Sequence, residues 1–257
     1  MSVQYERDGT IGYIWLRRPE VHHALNRQMV EDLGIAIEQC AHTPNLRVVI
    51  LAAEGSSSFC AGADLTERSR MSVEDVRRFV RELSFTFTHL SKLRVPVIAA
   101  MTGNAFGGGL ELAMAADIRI LAERASVGLT ETSWAIIPGA GGTQRLPQLV
   151  GVGKAKELIY TACRISAREA WRIGLVQQIA PQEEVLKQAE TMAAVIAANG
   201  PVAIQQAKKA LDMGSHLTLE ERLQLEQEAY ERVIGTQDRL EGLRAFQEKR
   251  KPIYRGE

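Results

Sequence analysis

The chain has 257 residues, of which 46% are hydrophobic and 24% charged, a composition typical of a globular protein with a sizeable core. Lysine plus arginine number 31, as do aspartate plus glutamate, so the formal net charge is zero and no basic surface for nucleic acid or anionic membranes is indicated. The first residues, MSVQYER, contain no basic segment followed by an apolar one, so we expect a cytoplasmic chain without a signal peptide or transmembrane span.

The three cysteines, Cys40, Cys60 and Cys163, are too few and too widely spaced to indicate a disulfide framework. We expect reduced and mostly buried thiols, as in cytosolic proteins. No pair of cysteines or histidines has the spacing of a metal site, so no metal is expected.

Apolar runs and turn residues predict the strands. Asp8-Gly9 lies between two such runs and predicts a β-hairpin, and three later runs are continuous enough for strands buried on both faces. The predicted strands are 4–7, 11–17, 48–53, 59–60, 97–101 and 117–121. Because helical segments separate the later strands, the sequence predicts an α/β fold with mostly parallel strands.

Capping residues predict where the helices begin. Asn26 can cap a helix over 27–42, and SVED at 72–75 has the pattern of a capping box that opens a helix ending near residue 90. SARE at 166–169 has the same pattern. A helix is also predicted over 153–162.

The last third of the chain is predicted to be helical apart from one late strand at 174–179. Its helices are 183–199, 202–213, 219–234 and 239–249. NGP at 199–201 is a clear break, so we divide the chain into a core, 1–199, and a helical C-terminal region, 200–257.

The stretch AFGGGLE at 105–111 joins the apolar run 97–101 to a good helix sequence. The first N–H groups of a helix have no intrahelical partner, and glycines let a ligand approach them closely, so this stretch predicts an anion pocket beside Glu111. The simpler alternative is a glycine-rich turn whose glutamate favours the helix dipole.

Three further motifs accompany this stretch: FCAGADL at 59–65, GLTE at 128–131 and IPGAGGTQRL at 137–146. Together and in this order they resemble the enoyl-CoA hydratase/isomerase (crotonase) family. ET at 131–132, AIIP at 135–138 and DRLEGL at 238–243 resemble its methylglutaconyl-CoA hydratase branch, some members of which bind AU-rich RNA. The resemblance implies a right-handed spiral of β-β-α units, a C-terminal helical trimerisation region and an acyl-CoA thioester substrate. A helical bundle folded onto its own core is the alternative to a trimer or a dimer of trimers.

The resemblance also implies site residues. An oxyanion hole would be formed by the N–H groups of Ala61 and Gly108, and such donors stabilise an enolate by several kcal/mol. Glu111 and Glu131 would divide the acid–base work of hydration, since paired carboxylates can do so when their environments separate their pKa values. For Glu131 the alternative is a solvated charge, but Leu129, Trp134, Ile136 and Ile137 indicate an apolar neighbourhood.

Coenzyme A contacts are carried over from the family in the same way. Because coenzyme A is part of the substrate, no separate cofactor is expected. Asp64 has an alternative role as a helix cap. The implied contacts are Ala24, Leu25, Ala61, Ala63, Asp64 and Leu65, with Phe246 and Lys249 near the coenzyme A of a neighbouring subunit.

The resulting prediction is an enoyl-CoA hydratase for short-chain 2-enoyl-CoA esters. A methylglutaconyl-CoA hydratase of leucine breakdown is the alternative, and its substrate carboxylate would need a cation, for which the sequence offers Arg68, Arg70, Arg77, Arg78 and Arg81. The presence of two glutamates argues against a double-bond isomerase. RNA binding is disfavoured because residues 29–43 contain no lysine or arginine.

Two other kinds of chemistry are disfavoured by the motifs. Thr143-Gln144 stands where a P-loop needs Lys followed by Ser or Thr, and no Gly-x-Ser-x-Gly elbow is present. No histidine lies near Cys60 in the sequence to activate it, so we interpret Cys60 as a buried structural thiol.

Overall fold

The computed structural model describes residues 1–55, 58–214 and 217–257. In this part of the chain it contains ten strands and eleven α-helices. The strands are β1 (Val3–Asp8), β2 (Ile11–Leu16), β3 (Val48–Ala53), β4 (Ser58–Cys60), β5 (Val97–Met101), β6 (Asn104–Phe106), β7 (Ile118–Ala122), β8 (Ser126–Gly128), β9 (Ile165–Ser166) and β10 (Gln178–Ala180). The helices are α1 (Arg27–His42), α2 (Leu65–Arg68), α3 (Val73–Ser91), α4 (Gly108–Met114), α5 (Gly142–Val150), α6 (Val152–Thr161), α7 (Ala167–Arg172), α8 (Val185–Ala197), α9 (Pro201–Gly214), α10 (Leu219–Ile234) and α11 (Gln237–Gln247).

The strands form two sheets through which the chain winds as a spiral. The larger sheet has the order β1-β2-β3-β5-β7-β10, parallel except for the β1–β2 hairpin. The smaller sheet has the order β4-β6-β8-β9, and only its β8–β9 pair is antiparallel. Each unit adds one strand to the first sheet and the next strand to the second, as β3-β4, β5-β6 and β7-β8 show. The predicted α/β class and β-β-α order are confirmed.

The core lies between the larger sheet and its helices. All six residues of β3 and all five of β5 are buried, as expected for central parallel strands that are covered on both faces. Helix α8 packs across β3 and β5, while α1 packs against β1 and α3. This rigid centre fixes the carboxyl ends of β3 and β5, from which the chain enters the smaller sheet.

Local capping rules predict several helix starts correctly. The Asn26 side chain accepts a hydrogen bond from the first turn of α1, and Ser72 forms the expected reciprocal capping box of α3. At α7 only half of the expected box forms, because Ser166 caps the helix while the Glu169 carboxylate pairs with Arg172 at 2.7 Å. A stronger charge partner one turn away has taken the place of the reciprocal hydrogen bond.

The strand predicted at 174–179 begins too early. Gly174 has a positive φ of 81°, and β10 starts only at Gln178. The intervening residues instead bind the buried Arg119. Its Nε donates to the Leu175 carbonyl at 2.8 Å, and its guanidinium also donates to the Gln177 side chain. Strands β6, β8 and β9 have two or three residues each and were not predicted from the sequence.

The C-terminal helices α9 to α11 are tied to the preceding core by polar contacts. Lys208 of α9 pairs with Asp117, which lies just before β7. Arg47 donates hydrogen bonds to the carbonyls of Ala197 and Tyr254, so it holds the end of the chain beside α8. The division into 1–199 and 200–257 remains a prediction. No helix in the described ranges combines the length and apolar character needed to cross a membrane.

Candidate active site

The first turn of α4 organises the site, and its glycines are needed for different structural reasons. Gly107 has a φ of 50°, which favours glycine, and its N–H donates to the Gly128 carbonyl of β8 at 2.9 Å. A Cβ atom built on Gly109 would lie 2.1 Å from the Cys60 carbonyl oxygen, so only glycine lets α4 pack this closely on β4. The N–H of Gly108, the first residue of the helix, then has no intrahelical acceptor.

The structure contradicts one predicted oxyanion donor. The N–H of Ala61 donates to the carbonyl of His22 at 3.0 Å, so it is already used within the chain. The expectation that Ala61 supplies a free donor is therefore wrong. The sequence could not show this because the acceptor belongs to a distant early segment.

Ala63, two residues later, offers a free N–H instead. Leu25 forms an isolated parallel bridge with Ala63. The Leu25 N–H donates to the Gly62 carbonyl at 2.7 Å, and the Leu25 carbonyl accepts from the Asp64 N–H at 2.9 Å. The N–H of Ala63 consequently points away from Leu25. Its nitrogen lies 3.9 Å from the Cβ position of Gly108. Within the described residues, the backbone hydrogen bonds assign no acceptor to the N–H of Ala63 or of Gly108.

Glu111 is held in a defined orientation one turn into α4. Its side chain is buried, and Oε1 accepts hydrogen bonds from the N–H groups of Ala140 at 2.8 Å and Gly142 at 2.7 Å. These donors lie at the N-terminus of α5, the positive end of its dipole. Burial raises the pKa of Glu111, whereas the two N–H donors and the Arg145 charge oppose that rise. Both of these hydrogen bonds are to Oε1, and none is assigned to Oε2 among the described residues.

Glu131 has the opposite kind of environment. It opens a short 3-10 helix (Glu131–Trp134), and its Oε2 atom is buried without a hydrogen-bond partner among the described residues. Its Oε1 atom lies 3.2 Å from the Cβ position of Gly107. Burial, followed by the nearby charge of Glu111, raises the pKa of Glu131 to about 7. The two carboxyl groups thus lie beside the glycine turn in different environments.

The sequence argument for an apolar setting around Glu131 was largely wrong in its reasons. Trp134, Ile136 and Ile137 are 64%, 46% and 70% exposed in the single chain, so they do not bury this carboxyl group. Of the four named residues only Leu129 lies in the core. The glycine turn lies against this carboxyl group, since the Cβ position of Gly107 is 3.2 Å from Oε1 of Glu131, and the local sequence does not show this contact.

The structure brings most of the predicted coenzyme A residues into one cluster. Leu25 is fully buried beside Ala63. Arg18 donates to the Ala24 carbonyl and pairs with Asp64 at 3.2 Å, so it links Ala24 to the segment that contains Ala63 and Asp64. Asp64 also caps α2 by accepting the N–H groups of its first turn, which was the alternative role considered for it. The sequence analysis did not identify Arg18, which fastens these two segments together. Leu65 lies exposed at the start of α2.

Phe246 and Lys249 are the two predicted coenzyme A residues in the C-terminal region. Phe246 is 84% exposed near the end of α11, and Lys249 is exposed just beyond the helix. No hydrogen bond or ion pair among the described residues links either one to Glu111 or Glu131. Their proposed contact with a neighbouring subunit remains a prediction.

Cys60 is confirmed as a structural thiol. It is fully buried, and its Sγ atom lies 3.1 Å from the carbonyl of His23. Burial raises the pKa of the thiol to about 12, so a nucleophilic thiolate is disfavoured.

Comparisons with known proteins identify the family of the chain. The family model described as enoyl-CoA hydratase/isomerase matches residues 6–257. A crystal structure of enoyl-CoA hydratase from Bacillus anthracis matches with a TM-score of 0.98 at 49% identity and covers 100% of both chains. Human mitochondrial methylglutaconyl-CoA hydratase is 40% identical over 98% of this chain and 76% of its own length. The enoyl-CoA isomerase/hydratase fer4 of Mycosarcoma maydis is 42% identical over 95% of this chain and 92% of its own.

These similarities extend over nearly the whole chain and include the segments that form the glycine turn and both carboxyl groups. The chain belongs to the enoyl-CoA hydratase/isomerase family.

Proposed function

We propose that the chain is an enoyl-CoA hydratase, which adds water to the double bond of 2-enoyl-CoA thioesters and gives 3-hydroxyacyl-CoA. The observation that carries this proposal is the pair of buried carboxyl groups beside the N–H groups of Ala63 and Gly108, neither of which has an acceptor among the described residues. Glu111 accepts two hydrogen bonds, whereas the buried Oε2 of Glu131 has no partner among the described residues. Such unequal environments suit one carboxylate base and one carboxylic acid.

The two backbone donors bind the reacting thioester. Its carbonyl oxygen lies between the N–H groups of Gly108 and Ala63, where negative charge develops as water adds to the β-carbon. Donors fixed in place before the reaction stabilise that charge, and the loss of one such donor typically costs about 3 kcal/mol. Gly108 adds the positive end of the α4 dipole.

The two glutamates move the protons. Glu111 holds water through Oε2 and takes one of its protons as the water oxygen bonds to the β-carbon. Glu131 gives its proton to the α-carbon, so the net change is the addition of one water molecule. Passage of the proton from Glu111 to Glu131 restores both groups. The pKa of about 7 for Glu131 keeps a protonated fraction available near neutral pH.

Short unbranched 2-enoyl-CoA esters are the substrates that we propose. The rival substrate is a methylglutaconyl-CoA, as the name of the human relative indicates. The arginines considered for its carboxylate are partly engaged, since Arg77 and Arg81 both pair with Glu74 on the exposed side of α3. Arg68 lies over the ring of Phe79, with 5.9 Å between its Cζ and the ring centroid.

RNA binding gains no support from α1. Its exposed side carries Glu31 and Glu38, and Arg27 at its start is paired with Asp75 at 2.8 Å. This helix therefore presents no basic stripe of the kind that attracts a phosphate backbone.

We also propose that the chain functions as a homotrimer or a dimer of trimers. The C-terminal helices expose apolar side chains that a single chain leaves uncovered, a common mark of an interface. They include Leu211, Met213, Leu219, Leu223, Tyr230, Leu240, Leu243 and Phe246.

The proposal is tested by a hydration assay across a panel of 2-enoyl-CoA esters that differ in chain length, branching and a terminal carboxylate. We expect efficient hydration of crotonyl-CoA and less efficient hydration of methylglutaconyl-CoA. A strong preference for methylglutaconyl-CoA that is lost on Arg68→Ala, with crotonyl-CoA hydration retained, would instead identify the alternative substrate. Hydration of no member of the panel would refute the proposed activity.

A further inference from the structure

Arg145 of α5 lies behind the loop that binds Glu111. It is partly buried, and one terminal nitrogen of its guanidinium donates to the Ala140 carbonyl at 2.8 Å. The same nitrogen would lie 1.9 Å from a Cβ atom on Gly141, whose φ of 109° already favours glycine. The guanidinium is therefore packed directly against the loop backbone.

Three successive peptide groups of this loop have alternating roles. The N–H groups of Ala140 and Gly142 belong to the first and third peptide groups, and both donate to Oε1 of Glu111. The carbonyl of Ala140 belongs to the second peptide group and points to Arg145. The hydrogen bond from Arg145 to the middle peptide group restrains ψ of Ala140 and φ of Gly141, the two backbone torsions that connect this group to the peptides carrying the two N–H donors.

We propose that Arg145 is a positioning residue for Glu111, which fixes the 139–142 loop so that both N–H groups hold one oxygen of the carboxylate and leave the other for the reacting water. This inference rests on the hydratase function proposed above. Arg145 acts through the loop and does not need to touch the substrate. Its planar guanidinium suits this role, since it makes directed hydrogen bonds and keeps its charge when partly buried.

The charge of Arg145 acts in the same direction as its hydrogen bond. Arg145 opposes the rise in the pKa of Glu111 that burial causes, as do the two N–H donors. Other titratable groups around α4 do not replace it. Glu131 repels the ionised form of Glu111, the Cys60 thiol is neutral because its pKa is raised to about 12, and Arg119 lies at the other end of the helix.

The test compares Arg145→Gln, which removes the charge, with Arg145→Lys, which keeps the charge but not the planar fork. Arg168→Gln on the exposed side of α7 is the matched control. Two readouts are taken: the titration of the Glu111 carboxyl group by NMR of isotope-labelled protein, assigned with Glu111→Gln, and the kcat and KM for crotonyl-CoA. Circular dichroism establishes that each variant folds.

We expect Arg145→Gln to raise the pKa of Glu111 and to lower kcat by roughly ten- to a hundredfold with little change in KM, the scale of a misplaced catalytic group. Arg145→Lys should retain a near-normal titration and an intermediate kcat. The inference fails if Arg145→Gln matches the Arg168→Gln control in both readouts. If Arg145→Gln does not fold, wild-type values of both readouts in Arg145→Lys contradict it instead. The NMR titration needs no turnover, so it measures the effect of Arg145 on the Glu111 carboxyl group even if the wild type hydrates none of the esters, an outcome that would refute only the proposed function.

Discussion

Replacement of Gly109 by alanine tests the packing that places the oxyanion donor and Glu111. The added Cβ atom would lie 2.1 Å from the Cys60 carbonyl oxygen and 2.8 Å from the Cys60 Cβ atom. The contact with the carbonyl must widen to at least 3.0 Å. Because the clashing carbonyl and the carrier of the new Cβ are both backbone, α4 must move away from β4. Overpacking of this kind costs about 1–3 kcal/mol of folding free energy.

The same movement should disturb catalysis, because Gly108 and Glu111 lie on the helix that moves. A misplacement of about 1 Å costs on the order of a hundredfold in rate. Urea denaturation and the kcat for crotonyl-CoA measure the two effects. Gly153→Ala in α6 is the matched control, since nothing lies within 4 Å of its Cβ position. It should leave kcat unchanged and stabilise the protein by up to about 1 kcal/mol. Wild-type stability and kcat in Gly109→Ala would refute the packing argument.

Four further predictions concern the site and the C-terminal helices. Glu111→Gln and Glu131→Gln should each lower kcat by at least about a hundredfold while folding and coenzyme A binding survive, and near-normal turnover by either variant would contradict the two-carboxylate mechanism. The rate of hydration should fall as pH rises through about 7, because Glu131 loses the proton that it donates. Because the folded-state pKa of Glu131 is raised, its contribution to wild-type stability is present below the unfolded pKa and is lost as pH rises through about 7. The stability of Glu131→Gln relative to wild type, measured by urea denaturation, should therefore increase over that range. A constant difference between the two proteins would contradict the raised pKa. Leu243→Glu should weaken assembly through the exposed face of α11, and an unchanged sedimentation coefficient would place the interface elsewhere.

The sequence predicted those parts of the fold that local chemistry determines. Asn26, Ser72 and Ser166 are capping residues whose partners lie within one turn, and each begins a helix in the structure. The apolar runs of β3 and β5 were recognisable because both faces of these strands are buried. The short strand β6 was not recognisable, because three residues are too few to show a hydrophobic periodicity. This strand depends on its pairing with β4 and β8.

At the site, the sequence identified residue types more reliably than the direction of their polar groups. Glu111, Glu131 and Gly108 were named from motifs, and the structure brings them together. Ala61 was named wrongly because its N–H is used by His22, and the choice of Ala63 depends on a bridge to Leu25. These partners are distant in sequence, so no local pattern reveals which N–H remains free.

The most direct test of the proposed hydratase is to incubate the wild-type protein with crotonyl-CoA in isotopically labelled water and analyse the product by mass spectrometry. We expect 3-hydroxybutyryl-CoA with the label in its hydroxyl oxygen, and at least about a hundredfold slower labelling in Glu111→Gln. A parallel incubation with a 3-enoyl-CoA tests for double-bond isomerisation. Conversion of the 3-enoyl ester to the 2-enoyl ester, without incorporation of labelled oxygen from either substrate, would contradict the proposed hydratase and identify an isomerase.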